Sequence, residues 1–211
     1  MFELVKSGGW LMVPILLCSV FSVTIVLERL WFLRRSRIAP DYLLGQVQQL
    51  VERKELSQER IALVNKNSPL GRILAVALLN LGRDREVMKD AIQESGRVVI
   101  HELQRYLNSL GTIAAISPLI GLLGTVIGMI KVFAVISTVG VGDPAALSDG
   151  ISQALITTAA GLSVGIPSLM FHRYFSGRVN ELTVSMEQSA IHLVEFIHGI
   201  EEITSPKNQA G

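Results

Sequence analysis

Three stretches of this 211-residue chain are apolar over a length that suits a lipid bilayer rather than a soluble core. A spanning helix needs about 20 mostly apolar residues, since each residue rises ~1.5 Å and the hydrocarbon layer is about 30 Å thick. Trp10 to Leu27 supplies one such run and holds no charge. Thr112 to Val139 supplies a second, interrupted only by Lys131. Ile151 to Phe171 supplies a third, with no charged residue at all. Lipid offers no partner to backbone N–H and C=O groups, so each run must be helical. A fourth apolar run, Leu70 to Leu81, is too short and contains Arg72 and Asn80. Ser68-Pro69 before it and Gly82 after it are start and stop signals of a soluble helix. The expected fold class is therefore an all-α integral membrane protein with three transmembrane helices.

The placement of basic residues predicts direction. Arg29, Arg34, Arg35 and Arg37 follow the first run, whereas only Lys6 precedes it. The segment Gly140 to Gly150 carries Asp143 and Asp149 and no basic residue, and Arg173 and Arg178 follow the third run. By the positive-inside rule the N-terminus lies outside and the C-terminus in the cytoplasm. The first run has no small-residue cleavage site after it, so it is expected to be an uncleaved anchor rather than a signal peptide. The expected organisation is an outer N-terminus and first span over 1–28 and a cytoplasmic helical region over 29–111. A second span over 112–139, an outer loop over 140–150 and a third span over 151–171 follow, then a cytoplasmic helix and tail over 172–211. Asp149 is expected to cap the third helix.

Residues 29–111 hold 14 basic and 9 acidic side chains, consistent with anchoring on the inner side. The net charge of the whole chain is only +1, which argues against a nucleic-acid binder. Pro40-Asp41 opens an amphipathic helix with Leu44, Val47, Leu50 and Val51 on one side. From Glu86 the apolar positions Val87, Ala91, Val98, Tyr106 and Leu110 keep near-helical spacing into the second run. After the third run Phe175, Val179, Leu182, Met186, Ala190, Leu193, Ile197 and Ile200 recur every three or four residues, roughly a coiled-coil period. The second and third spans are thus expected to extend into a cytoplasmic helical bundle. The seam after span three fits a subunit interface and packing within one chain equally well.

Soluble-enzyme chemistry is absent from the pattern. There is no phosphate-cradling glycine loop, no paired-cysteine metal site and no nucleophile elbow. His101, His172, His192 and His198 lack metal-binding spacing, and Cys18 stands alone in an apolar run. No enzyme activity, cofactor or metal is expected.

The unusual residues lie inside spans two and three. Ser117, Gly121 and Thr125 repeat at steps of four, and Gly124 and Gly128 form a G-x-x-x-G. Gln153, Thr157, Gly161 and Gly165 form a matching line in span three, with Thr158 beside it. Small residues let helices approach closely in lipid. Pro118 frees a backbone carbonyl that a neighbour must satisfy. From helical rise, Thr158 lies about 12 Å inside the outer end of span three and Thr125 roughly 20 Å from the inner end of span two. The two hydroxyls therefore reach a similar depth. They fit interhelical hydrogen bonding, worth ~0.6 kcal/mol on average, or the ordering of water and passage of protons. Lys131 fits snorkelling to the outer interface, or a pore-lining or partner-pairing role.

The run Leu119-Ile120-Gly121-Leu122-Leu123-Gly124-Thr125-Val126 resembles the second-span signature of the MotA/TolQ/ExbB proton-channel family. Gly150-Ile151-Ser152-Gln153-Ala154-Leu155-Ile156-Thr157-Thr158-Ala159-Ala160-Gly161-Leu162 resembles its third-span signature. Gly9-Trp10 and Glu28-Arg29, flanking the first span, are similar as well, and the likeness is closest to the ExbB and TolQ branch. A flagellar stator is a poorer match, because that branch has two spans before its large loop. The resemblance implies a homopentamer in the bacterial inner membrane. It implies a dimer of a single-span ExbD-like or TolR-like partner carrying a membrane aspartate, and a TonB-like or TolA-like energy transducer. Proton motive force would drive TonB-dependent outer-membrane transport or, in the alternative, the Tol-Pal envelope system. A non-conducting membrane scaffold is the reading from another class. Under the resemblance Thr125 and Thr158, with Gln153, Thr157 and Ser117, line the proton pathway. Gly121, Gly124, Gly128, Gly161 and Gly165 then serve helix packing or face the partner. One departure stands out: these proteins commonly carry a glutamate where Gln153 stands, and an amide cannot titrate.

Overall fold

The computed structural model describes residues 8–140 and 144–204. Among the described residues the regular structure is helical, with no strand. In chain order the helices are α1 (Met12–Phe32), α2 (Arg35–Ile38), α3 (Tyr42–Glu52), α4 (Gln58–Asn67), α5 (Pro69–Leu79), α6 (Arg85–Leu103), α7 (Leu107–Val139) and α8 (Pro144–Thr204). Three of the helical stretches are long and apolar enough to cross a membrane, and these contain the three apolar runs. Two compact units divide the chain: residues 1–29 with 106–175, and residues 30–105 with 176–211.

The first unit holds the apolar runs. One narrow stripe of α1 is buried, at Met12, Ile15, Ser22, Val26 and Arg29. These residues are three or four apart, or multiples of that, so they share a face. The rest of the helix, including Val13, Leu17, Val20, Phe21 and Leu27, is exposed, as a helix facing lipid would be. Arg29 ends the stripe, almost fully buried. A buried charge needs partners. The guanidinium donates to both carboxylate oxygens of Glu28, from Nε at 2.5 Å and from Nη2 at 3.0 Å. It also lies over the Tyr106 ring, 5.4 Å from the centroid.

The steady apolar spacing after Glu86 does not produce one continuous helix. α6 stops at Leu103 and α7 starts at Leu107, with a turn between. Tyr106 takes φ +62°, a left-handed conformation that ends any right-handed helix. Nothing in the side-chain pattern marks this break, because Tyr106 carries no glycine-like signal. The third span differs in the other direction. α8 begins at Pro144, inside the segment expected as a loop, because proline suits the first turn of a helix. Asp149 therefore lies within α8 rather than capping it.

The second unit is built around α5. Its Leu70, Gly71, Ile73, Leu74, Ala75, Ala77 and Leu78 are all buried, which explains an apolar helix too short to span a bilayer. Ser68 caps it, its hydroxyl accepting from the Gly71 N–H at 3.1 Å, with Pro69 in the first turn. Gly71 also has no room for a Cβ, which would collide with the Val64 carbonyl of α4. On α8, Val179, Leu182, Met186, Ala190, Leu193 and Ile197 are each at most 3% exposed within the single chain. The seam of coiled-coil period is therefore used up inside the chain.

α5 and α6 are fastened by a two-pronged ion pair. Arg72 Nη1 and Nη2 donate to Glu102 Oε2 and Oε1 at 2.6 and 2.9 Å. That hydrogen bonding, aided by the charge of Arg72 and opposed by partial burial, holds the Glu102 carboxyl below its ordinary range. A lowered carboxyl pKa stabilises the fold above the unfolded value, and the contribution is lost as pH falls through the folded value. Both groups are largely solvated, so the term stays below about 1 kcal/mol. Glu102→Gln is expected to lower the melting temperature slightly at pH 7 and by less at pH 4, because the contribution of the native pair shrinks as the carboxyl takes up its proton. Melts of the detergent-solubilised protein at the two pH values measure the difference.

Candidate functional site: the glycine-lined pair of spanning helices

α7 and α8 run antiparallel in the first unit and approach closely along a line of glycines, backbone to backbone at Gly121 and Gly161. A Cβ on Gly161 would come within 2.5 Å of the Ser117 carbonyl and 3.0 Å of the Gly121 Cα. One on Gly121 would lie 3.0 Å from the Thr158 Cα. At Gly124 it would meet the Thr157 side chain at 2.5 Å, and at Gly128 the Ala154 Cβ at 2.7 Å. Gly165 lies against Pro118 and the Ala114 carbonyl. That carbonyl is the one whose helical donor Pro118 lacks, so the freed acceptor sits over a glycine surface. All five glycines singled out from the sequence are thus in the α7–α8 contact of one chain.

The contact line on α7 passes through Ala114, Ser117, Gly121, Gly124 and Gly128, all buried. It alternates steps of three and four. Three successive steps of four would drift around the helix by about 40° each. This is why Thr125 leaves the line that Ser117 and Gly121 begin, and it remains half-buried. Its hydroxyl donates to the Leu122 carbonyl at 2.6 Å within its own helix. The Thr158 hydroxyl crosses between helices and donates to the Gly121 carbonyl at 2.8 Å. The two hydroxyls do not bond each other, yet they hang on consecutive carbonyls of α7 and so sit at one level. Each oxygen keeps its capacity to accept a hydrogen bond.

Thr157 is 1% exposed. Its hydroxyl donates to the Gln153 carbonyl at 2.7 Å and lies 3.1 Å from the Gly8 carbonyl. Ser117 is fully buried and its hydroxyl has no partner among the described residues. Lys131 Nζ donates to Gln153 Oε1 at 2.9 Å. Gly9, at φ +72°, lies against the other end of that amide, where a Cβ would overlap Nε2. Gln153 is held on both sides, by α7 and by the residues ahead of α1.

Some contacts had no sequence signal. Ser22 of α1 and Ser168 of α8 share a buried hydrogen bond of 2.6 Å, and two serines so far apart carry no mutual pattern. The His172 ring lies over Gly111, and its Nδ1 is buried without a partner among the described residues. Among the described residues no group of three His, Cys, Asp or Glu side chains could hold a metal ion.

Residues 65–188 match the model of the MotA/TolQ/ExbB proton channel family. The chain belongs to this family. The matched segment runs from α4 well past the third span and so contains the whole α7–α8 contact. The chain is 32% identical over 181 residues to the putative biopolymer transport protein ExbB homolog of Methanothermobacter thermautotrophicus, covering 85% of this chain and 64% of that protein. Less than two thirds of that relative is therefore represented here. Biopolymer transport protein exbB1 of Vibrio cholerae is 28% identical over 202 residues, 94% of this chain and 89% of its own length. The Tol-Pal system protein TolQ of Pseudomonas aeruginosa is 35% identical over 101 residues, 46% of this chain and 44% of that one. Membership of a channel family, with three apolar helices, makes this a multi-pass membrane protein.

The helix contact sets a testable stability difference. Gly161→Ala would press a methyl group against the Ser117 carbonyl and is expected to destabilise by roughly 1–3 kcal/mol. Gly177→Ala, on the same helix with open space around it, is expected to be neutral or stabilising by up to about 1 kcal/mol. Thermal unfolding of both variants in detergent measures the contrast.

Proposed function

We propose that the chain is the ring-forming subunit of an ExbB–ExbD-type motor that couples proton motive force to TonB-dependent outer-membrane transport. The observation that carries this reading is the pair of threonine hydroxyls at one level, Thr125 on the Leu122 carbonyl and Thr158 on the Gly121 carbonyl. They sit in spans without a single Asp or Glu. Hydroxyls can accept and pass on a proton but do not themselves titrate near neutral pH. The titrating carboxylate then belongs to another chain, a single-span ExbD-like partner present as a dimer inside a homopentamer. The driving force is ~2.3 kcal/mol per charge per 100 mV.

Arginine placement supports the inner membrane, with the N-terminus in the periplasm and the C-terminus in the cytoplasm. In this reading the glycines hold the two working helices at fixed separation. Ser117 and Thr157 continue the polar line on either side of the threonine level. Gln153 orients Lys131 near the outer mouth and does not release a proton. A TolQ-like role in the envelope system, with TolR-like and TolA-like partners, is the second reading, favoured by the similarity to Tol-Pal proteins.

Thr158→Val removes the hydroxyl and keeps the shape. Reconstituted with its single-span partner, this variant is expected to assemble normally while proton flux falls at least tenfold. Flux equal to the parent complex would reject the pathway role and leave a non-conducting scaffold. Complementation separates the two systems: restored siderophore-dependent growth marks the TonB role, and restored detergent resistance marks the Tol role.

A further inference from the structure

The unit formed by residues 30–105 and 176–211 contains a groove of about 560 Å³ between α6 and the later part of α8. Its floor is apolar, with Ile100, Met186 and Val194. Its α6 wall carries Arg85, Lys89 and Arg97, spread over about 120° of the helix, and Glu187 lines it from α8.

The far side of α6 has the reverse chemistry. Val87 and Val98 are 43% and 47% exposed there, with Ala91 between them. Asp90 and Glu94 run along the edge of this ridge and are exposed, whereas Glu86 lies between Lys89 and Arg97 around the helix. From the helical turn of about 100° per residue, the middle of the ridge lies ~160° around α6 from the middle of the groove wall. Val87, Ala91 and Val98 open the apolar spacing noticed in the sequence after Glu86, and folding of the single chain leaves the two valines exposed and Ala91 half-buried, whereas Leu110 further on is buried.

We propose that the groove of one copy receives the α6 ridge of the next copy. Val87 and Val98 enter the apolar floor, and Asp90 and Glu94 meet the basic wall. Among the described residues the same charges make solvent-exposed pairs one turn apart, Lys89 Nζ to Glu86 Oε1 at 3.2 Å and Arg97 Nη1 to Glu94 Oε2 at 3.6 Å. Such pairs are weak and exchange readily for intermolecular ones. Because groove and ridge occupy opposite faces of one helix, the contact is heterologous. It generates a ring when the rotation closes and a filament when it does not, and it never stops at a two-fold dimer. The proposal rests on the ring reading above and names the surfaces that join the copies in this unit.

Disulfide trapping in the full-length protein tests it. In a Cys18→Ala background, Gln93→Cys places a thiol on the groove side and Val98→Cys one on the ridge. Oxidation in membranes is expected to give a ladder beyond dimer from the double variant and no covalent dimer from either single variant. Adding Lys89→Glu is expected to reduce the ladder at least tenfold, and Glu94→Lys in the same chain to restore it. Native mass measured in parallel separates the two levels of failure. An oligomer without a ladder overturns this contact and leaves the ring reading intact. A monomeric mass overturns both. A ladder that ends at dimer, or a cross-link to a different polypeptide in place of a second copy, overturns the contact.

Discussion

The backbone of α7 lies directly against the backbone of α8, and the rest of the spanning unit depends on this approach. Gly121 and Gly161 bring main-chain atoms of two helices within van der Waals reach, with Gly124, Gly128 and Gly165 extending the contact to either side. In lipid there is no hydrophobic gain from pressing two apolar helices together, so close dispersion contact and interhelical hydrogen bonds must do that work. Glycine alone permits the distance. The polar groups then fall into place: Thr158 can reach a carbonyl on the other helix because that helix is near enough.

The same closeness governs how polarity is handled inside the apolar layer. Unpaired backbone or hydroxyl groups are costly there. Thr157, Thr158, Thr125, Ser22 and Ser168 all have partners. Lys131, the one charge within a span, is tied to Gln153. Ser117, beside Pro118 where helical hydrogen bonding is interrupted, is buried without a partner among the described residues. The polar groups of the second and third runs are hydroxyls, the Gln153 amide and Lys131, and neither run contains an Asp or Glu. The helical unit outside the spans follows ordinary soluble rules: capped helices, an apolar α5 at its centre and surface ion pairs.

Much of this was legible without coordinates. The three spans were readable because length and the absence of charge are local properties, and the α5 boundaries were readable from Ser68-Pro69. The family likeness was carried by the runs around Gly121 and Thr158. The break at Tyr106 was not readable, since no local residue signal marks a tyrosine for the left-handed conformation, and the Arg29 guanidinium over its ring comes from a helix distant in the chain. Nor was the line of contact along α7. Steps of four put Thr125 with Ser117 and Gly121, but helical drift turns the real line through Gly124.

By itself the sequence determined that this chain enters a membrane, how many times it crosses and which stretches hold its small and polar residues. Those outcomes follow from hydropathy and helix length, which depend on residues close together in the chain. Only the tertiary structure decided which faces meet. The glycines are spent inside one chain, Gln153 is gripped between Lys131 and Gly9, and the Thr125 and Thr158 hydroxyls rest on neighbouring carbonyls. Pairing of distant helices depends on the fit of whole surfaces, and a few ångströms of separation or a fraction of a helical turn changes which atoms meet.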